Sequence, residues 1–305
     1  MKFEKASGLL KKDASFRLIM KLVILALALT GAQAFLFSPS EKWDGLRVTF
    51  GLKFWDNAFD TMPRTVADAE AAGFVLKDDQ CQSKDQKFRG MRYWKDSDPA
   101  VILLMDKNGF IAGIQTAPEA DVFSPTRFVA NHSMARDGNL WTLTAYFVHP
   151  SQICTGRSPD QFNEEGTGNG LWLQNGTRPE QDLVHIPNKE EDIKQNKLWG
   201  NGKCFPVMGQ HYWFNIRKDM DCDDFFPYCV LYSNGKLNAF CFAIDGDIQT
   251  SKRYEHPTTD AANGCCMHVP DCFYTHPRHA NNLPQSTLHV FLTDQPWKNT
   301  CPIFG

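Results

Sequence analysis

The chain has 305 residues, with 32 Lys and Arg against 35 Asp and Glu, a formal net charge of −3. That mildly acidic balance has no concentrated basic footprint, so no nucleic-acid partner is expected. The length suits one large domain or two small ones.

The N-terminus reads as a secretory signal. Lys11, Lys12, Arg17 and Lys21 form a basic region, residues 22–32 an apolar run, and Ala32-Gln33-Ala34 a small-x-small cleavage pattern. Residues 1–34 are therefore expected to be removed, leaving Phe35 first and no membrane anchor in the mature form. Met20 followed by Lys21 offers an alternative start. The run is shorter than the roughly 20 residues that span a bilayer. Removing it takes six basic and two acidic side chains and leaves a net charge of −7.

All ten cysteines lie beyond the signal: Cys81, Cys154, Cys204, Cys222, Cys229, Cys241, Cys265, Cys266, Cys272 and Cys301. An even count behind a signal, without a C-x-x-C pair, reads as five disulfides. Asn131-His132-Ser133 and Asn175-Gly176-Thr177 are glycosylation sequons.

Seven landmarks then recur in order. Gly51-Leu52 answers Gly170-Leu171, Met62-Pro63 answers Ile186-Pro187, and Cys81 answers Cys204. Gly90, Tyr93 and Trp94 answer Gly209, Tyr212 and Trp213. Asn108-Gly109 answers Asn234-Gly235, Thr142-Leu143 answers Thr287-Leu288, and Cys154 answers Cys301. This pattern predicts an internal duplication.

In chain order, each copy gives a lead strand, a short helix and about four antiparallel strands. The first helix runs from Thr65 to Ala72 and stops at Gly73. The second is capped by Asn188, with Glu191 at the capping-box offset. Val101 to Met105 and Phe110 to Gln115 flank Asn108-Gly109 as a hairpin with a type I′ turn. Tyr228 to Tyr232 and Leu237 to Ile244 flank Asn234-Gly235 in the same way. The last strands are Leu140 to Val148 and Thr287 to Thr293. The expected fold class is α+β, a disulfide-linked tandem repeat with a helix packed on each antiparallel sheet. The expected segments are a signal at 1–34, a first repeat at 35–154, a linker at 155–169 and a second repeat at 170–305. The repeat pairs Cys81 with Cys154 and Cys204 with Cys301. The adjacent Cys265 and Cys266 are expected to bond to different partners.

Asymmetry between the copies places candidate function in the second. It holds an acidic insert (Asp219, Asp221, Asp223 and Asp224) and a Cys/His-rich loop at about 245–284. It also has histidine where the first copy has Arg92 and Thr144, namely His211 and His289. His211, His289, Asp221 and Glu255 are the candidate acid–base groups. His211, His276, His279 and His289 are the candidate metal ligands, with His256 and His268 nearby. The alternating aspartates suit a calcium loop or a solvated turn. Trp172, Trp199 and Trp297 are candidates for ligand stacking, as is Trp55, whereas Trp94 and Trp213 are landmarks of the scaffold. No P-loop, dinucleotide fingerprint, Gly-x-Ser-x-Gly or His-Glu-x-x-His motif is present, so the sequence names no cofactor. The function expected is a secreted protein that binds a small molecule or glycan at the second repeat or the groove between repeats. The alternatives are a secreted His- or metal-dependent hydrolase or oxygenase, luciferase-like in role, and a structural matrix component.

Overall fold

Stretches rich in Val, Ile, Leu and aromatic residues, bounded by Gly, Asn and Asp, favour strands over helices. The computed structural model describes residues 43–49, 59–83, 85–275 and 285–301. Among these residues the strands are β1 (Arg47–Val48), β2 (Asp60–Thr61), β3 (Val75–Asp78), β4 (Met91–Trp94), β5 (Ile102–Met105), β6 (Ile111–Thr116), β7 (Ala135–Asp137), β8 (Leu140–Tyr146), β9 (Leu171–Gln174), β10 (Leu183–Ile186), β11 (Trp199–Phe205), β12 (Gly209–Phe214), β13 (Tyr228–Ser233), β14 (Lys236–Ile244) and β15 (Ser286–Phe291). The helices are short: α1 (Val66–Ala71), α2 (Arg127–Asn131), α3 (Pro150–Ile153), α4 (Pro159–Glu165), α5 (Glu190–Gln195), α6 (Thr259–Cys265) and α7 (Cys272–Thr275).

Two antiparallel sheets result. The first runs β10-β9-β8-β6-β5-β4-β3, with β7 beside β8, and the second runs β11-β12-β13-β14-β15-β1-β2. Each draws five successive positions from one stretch of chain and takes its last two strands from elsewhere. Strand β9 joins β8 through Ala145↔Leu173, and β1 joins β15 through Arg47↔Phe291. The lead strands thus pair across the expected boundary between halves.

The sheets share one core. Alternation along β13 turns Tyr228, Val230 and Tyr232 toward it, and β14 adds Phe240 and Phe242. Phe147 of the first sheet's half meets Phe240 at 6.3 Å between ring centroids. The Tyr228 hydroxyl donates to the carbonyls of Thr144 (3.3 Å) and Gln174 (3.2 Å). Each such buried ring contributes about 1.5–3 kcal/mol, and the two carbonyls keep the Tyr228 phenol satisfied.

Helix-on-sheet layering gives way to sheet. Helix α1 has six residues and buries only Ala69, and α5 buries only Ile193. Helices this short, with one apolar position each, cannot cover a sheet face. Thr65, expected as the first helical residue, instead caps α1 by accepting from the amide of Asp68. The expected Asn188 cap does not form: Lys189 occupies the cap position without a side-chain bond. Asn188 instead donates to the Asn169 carbonyl at 3.5 Å. Residues 155–169 include α4, opened by a capping box between Ser158 and Gln161.

The two Asn-Gly turns differ. Asn234 and Gly235 both have positive φ, 50° and 77°, as a type I′ turn needs. In the first sheet only Gly109 does, at 86°. There the Asp106 carboxylate accepts from the amides of Asn108 and Phe110, each at 3.0 Å, and organises a three-residue loop.

Five disulfides form: Cys81–Cys154, Cys204–Cys301, Cys222–Cys272, Cys229–Cys241 and Cys265–Cys266. The first two are those the repeat predicts. The last corrects the expectation for adjacent cysteines, which bond to each other. Cys265 ends α6, and Cys266 has left helical geometry (φ −131°, ψ −33°), which lets the two side chains turn together.

Candidate functional site

The face of the second sheet turned away from the shared core carries the candidate residues. Alternation puts His211 and Trp213 of β12, Cys229 and Leu231 of β13, Cys241 of β14 and His289 of β15 on that side. Met267, Val269 and Phe273 of the Cys-rich segment pack against Trp213, Phe225 and Leu231 there. His211 is fully buried and His289 is 7% exposed.

Both imidazoles have an assigned proton. Nδ1 of His211 lies 2.9 Å from the Lys203 carbonyl, which can only accept, so Nδ1 carries the hydrogen. Its Nε2 lone pair is buried without a hydrogen-bond partner. Burial, then His289, pushes the His211 pKa down to about 3, against the Lys203 and Gly209 carbonyls that favour the protonated ring. His211 is therefore a neutral imidazole at any physiological pH. Nδ1 of His289 donates to Glu255 Oε2 at 2.8 Å, and Thr287 Oγ1 donates to the same oxygen at 2.8 Å. Paired backbone bonds between Glu255 and Thr287 hold that carboxylate in place. The two rings stand perpendicular with centroids 6.1 Å apart. One ring nitrogen of each histidine and the Cys229 sulfur lie within 4.8 Å of one another, and this is the one such metal-capable grouping among the described residues.

Counting across the first sheet reaches the matching positions. Arg92 pairs with Leu104 as His211 pairs with Leu231, and Gln115 pairs with Thr144 as Cys241 pairs with His289. The first sheet fills these places with a side-chain network that leaves only Nη2 of Arg92 without a partner. Arg92 donates to Gln115 (2.9 Å) and to Asp137, and Gln115 donates to Thr144 (2.7 Å).

The other candidates disperse. Asp221 caps the short turn Cys222–Asp224 by accepting from the amide of Asp223, and it is exposed. The Cys222–Cys272 disulfide pins that turn. His256 pairs with Asp247 at 3.2 Å, and His268 is exposed. His276, His279 and Trp55 lie outside the described residues. Trp199 is a core residue against Phe214 and Phe226. Trp172 stacks on His185 and meets His149 edge-on. Trp297 is 53% exposed beneath the Arg47 guanidinium. The sequons sit together: Asn131 is exposed, and Ser133 donates to Asn175 at 3.0 Å.

No known family, no curated protein and no solved structure matches the chain. Function must therefore be argued from the site itself.

A second feature, missed in the sequence, is open to solvent. A depression of about 410 Å³ lies between the β11–β12 edge and the Cys-rich segment, lined by Asn201, Arg217, Lys218, His268, Asp271 and Tyr274. The Asp271 amide donates to the Lys218 carbonyl at 2.8 Å and ties its walls. Tyr274 is 50% exposed. These residues come from three separate stretches, so no local motif announces them. Five disulfides are compatible with an extracellular protein. No described helix is long and apolar enough to cross a membrane.

Proposed function

We propose that this is a secreted binding protein built from two diverged copies of one sheet unit, whose second copy takes a small polar ligand, best a glycan unit. The depression at Tyr274 carries the reading. It joins an exposed aromatic ring, two cationic side chains, a carboxylate and the side-chain amides of Asn201 and Asn263 in one concave wall. Sugars are bound by that combination: ring stacking on their C–H faces and polar groups for their hydroxyls. The adjoining segment is braced by Cys222–Cys272 and Cys265–Cys266, which lowers the ordering cost of binding.

The N-terminal signal pattern, the sequons and the disulfides support secretion. The recurring landmarks, the parallel strand orders and the matching Arg92 and His211 positions support duplication. The enzyme alternative rests on His211, His289 and Glu255, and a substrate would need access to imidazoles that are buried.

Calorimetry with neutral, uronic and sulfated oligosaccharides tests the reading. Binding is expected, with Tyr274→Ala and Lys218→Ala each weakening it by about tenfold or more. Binding by no saccharide, or binding indifferent to both substitutions, would overturn it and leave the purely structural role.

A further inference from the structure

We propose that His211, His289, Cys229 and Cys241 form a buried Cys2His2 site for a zinc-like divalent cation, available when the Cys229–Cys241 disulfide is reduced and closed when it is oxidised. The site is independent of the ligand depression.

Three observations carry it. First, both imidazoles present unused lone pairs on Nε2, because each Nδ1–H is committed, one to the Lys203 carbonyl and the other to Glu255. A carbonyl and a carboxylate are the outer partners that metal-bound histidines use to fix their tautomer and raise their basicity. Second, Nε2 of His211 is buried with no hydrogen-bond partner, a cost the fold carries without return in the oxidised state. Third, Cys229 and Cys241 sit directly opposite on β13 and β14, and Cys241 directly opposite His289 on β15, so three neighbouring strands deliver three of the donors. Donor atoms around one zinc are about 3.5 Å apart. One ring nitrogen of each histidine and the Cys229 sulfur, already within 4.8 Å of one another, need to close by little more than about 1 Å, and the Cys241 sulfur, outside that grouping, joins them only once its bridge to Cys229 opens.

Charge explains the gating. A divalent cation on two neutral imidazoles alone would leave two positive charges on a buried apolar face, which is strongly unfavourable. Two thiolates cancel them. The exchange balances as follows. An external dithiol gives two electrons to the Cys229–Cys241 bond and becomes a disulfide. Cys229 and Cys241 become thiols, and both lose their protons to solvent as the cation binds.

Cobalt(II) is the probe for the full mature chain. With folded, dithiol-reduced protein, one equivalent should bind and give thiolate-to-cobalt charge-transfer absorption. Affinity should exceed that of the oxidised protein by more than about 100-fold, the upper range for losing an outer partner alone. The band should vanish in His211→Phe and in Cys229→Ser/Cys241→Ser, and persist in Cys265→Ser/Cys266→Ser. Equal binding by oxidised protein, or a band surviving Cys229→Ser/Cys241→Ser, overturns the proposal. If reduction unfolds the chain, zinc is added during oxidative refolding instead. Cys229 and Cys241 should then be recovered as free thiols after metal stripping and alkylation. Their recovery as a disulfide in equal yield with and without zinc overturns the proposal.

Discussion

Arg92 and His211 hold matching places on their sheets, and each keeps one buried nitrogen without a partner. Arg92 gives Nε to Gln115 and Nη1 to Asp137 but leaves Nη2 buried without a partner, and His211 gives Nδ1 to the Lys203 carbonyl and leaves Nε2 without one. In the metal-free, oxidised protein, His211→Phe should therefore lower unfolding free energy by only about 1–3 kcal/mol, the cost of leaving the Lys203 carbonyl without its donor. A loss above about 3 kcal/mol in urea titration would mean that Nε2 has a partner. Arg157 gives the contrast. It is 3% exposed, pairs with the fully buried Asp106 and donates to the Gly166 and Ile111 carbonyls. Arg157→Met strands that carboxylate and should cost about 3–5 kcal/mol. A cost below 1 kcal/mol would contradict this account of the Asp106 turn. Neither role was legible in the sequence, where Arg157 falls in a stretch that reads as linker.

At the scale of elements, alternation and Asn-Gly signals located the hairpins, and helix signals found α1. The signals did not give the register. A plain count across Asn234-Gly235 pairs Cys229 with Phe240. A bulge between Leu237 and Ala239 shifts the pairing by one residue and brings Cys229 to Cys241. That single residue creates the sulfur pair beside His289, and nothing local in the sequence marks it. The expectation of helical layers failed because α1 and α5 offer one buried side chain each. Backbone contact makes a sharper prediction. A Cβ on Gly168 would sit 2.1 Å from the Phe147 carbonyl oxygen, whereas Gly235 faces open space at φ 77°. Gly235→Ala should cost about 1 kcal/mol in turn strain. Gly168→Ala should cost more, about 2–3 kcal/mol, because backbone must move. Thermal unfolding that ranks the two the other way would show that β8 and β9 approach each other less closely.

At the scale of the whole molecule, the paired landmarks in the sequence are enough to give Cys81–Cys154 and Cys204–Cys301, because each bridge lies within one half. The exchange of lead strands between sheets was not legible. It depends on contacts between Arg47–Val48 and Val290–Phe291, far apart in the chain, and strand pairing at that separation leaves no periodic signal. The Cys204–Cys301 bridge closes a separation of 97 residues. Replacing both cysteines by serine should lower stability by about 2–4 kcal/mol. An unchanged midpoint in denaturant would mean that the second sheet is held without it.

The central claim is that ligand is taken on the outer side of the second sheet, at the edge of its Cys-rich segment. Amide hydrogen exchange with and without a bound oligosaccharide tests this most directly. The account predicts added protection at Arg217–Lys218 and Asn263–Tyr274, with the first sheet unchanged. Protection confined to the first sheet around Trp172, or none at saturating ligand, would contradict it.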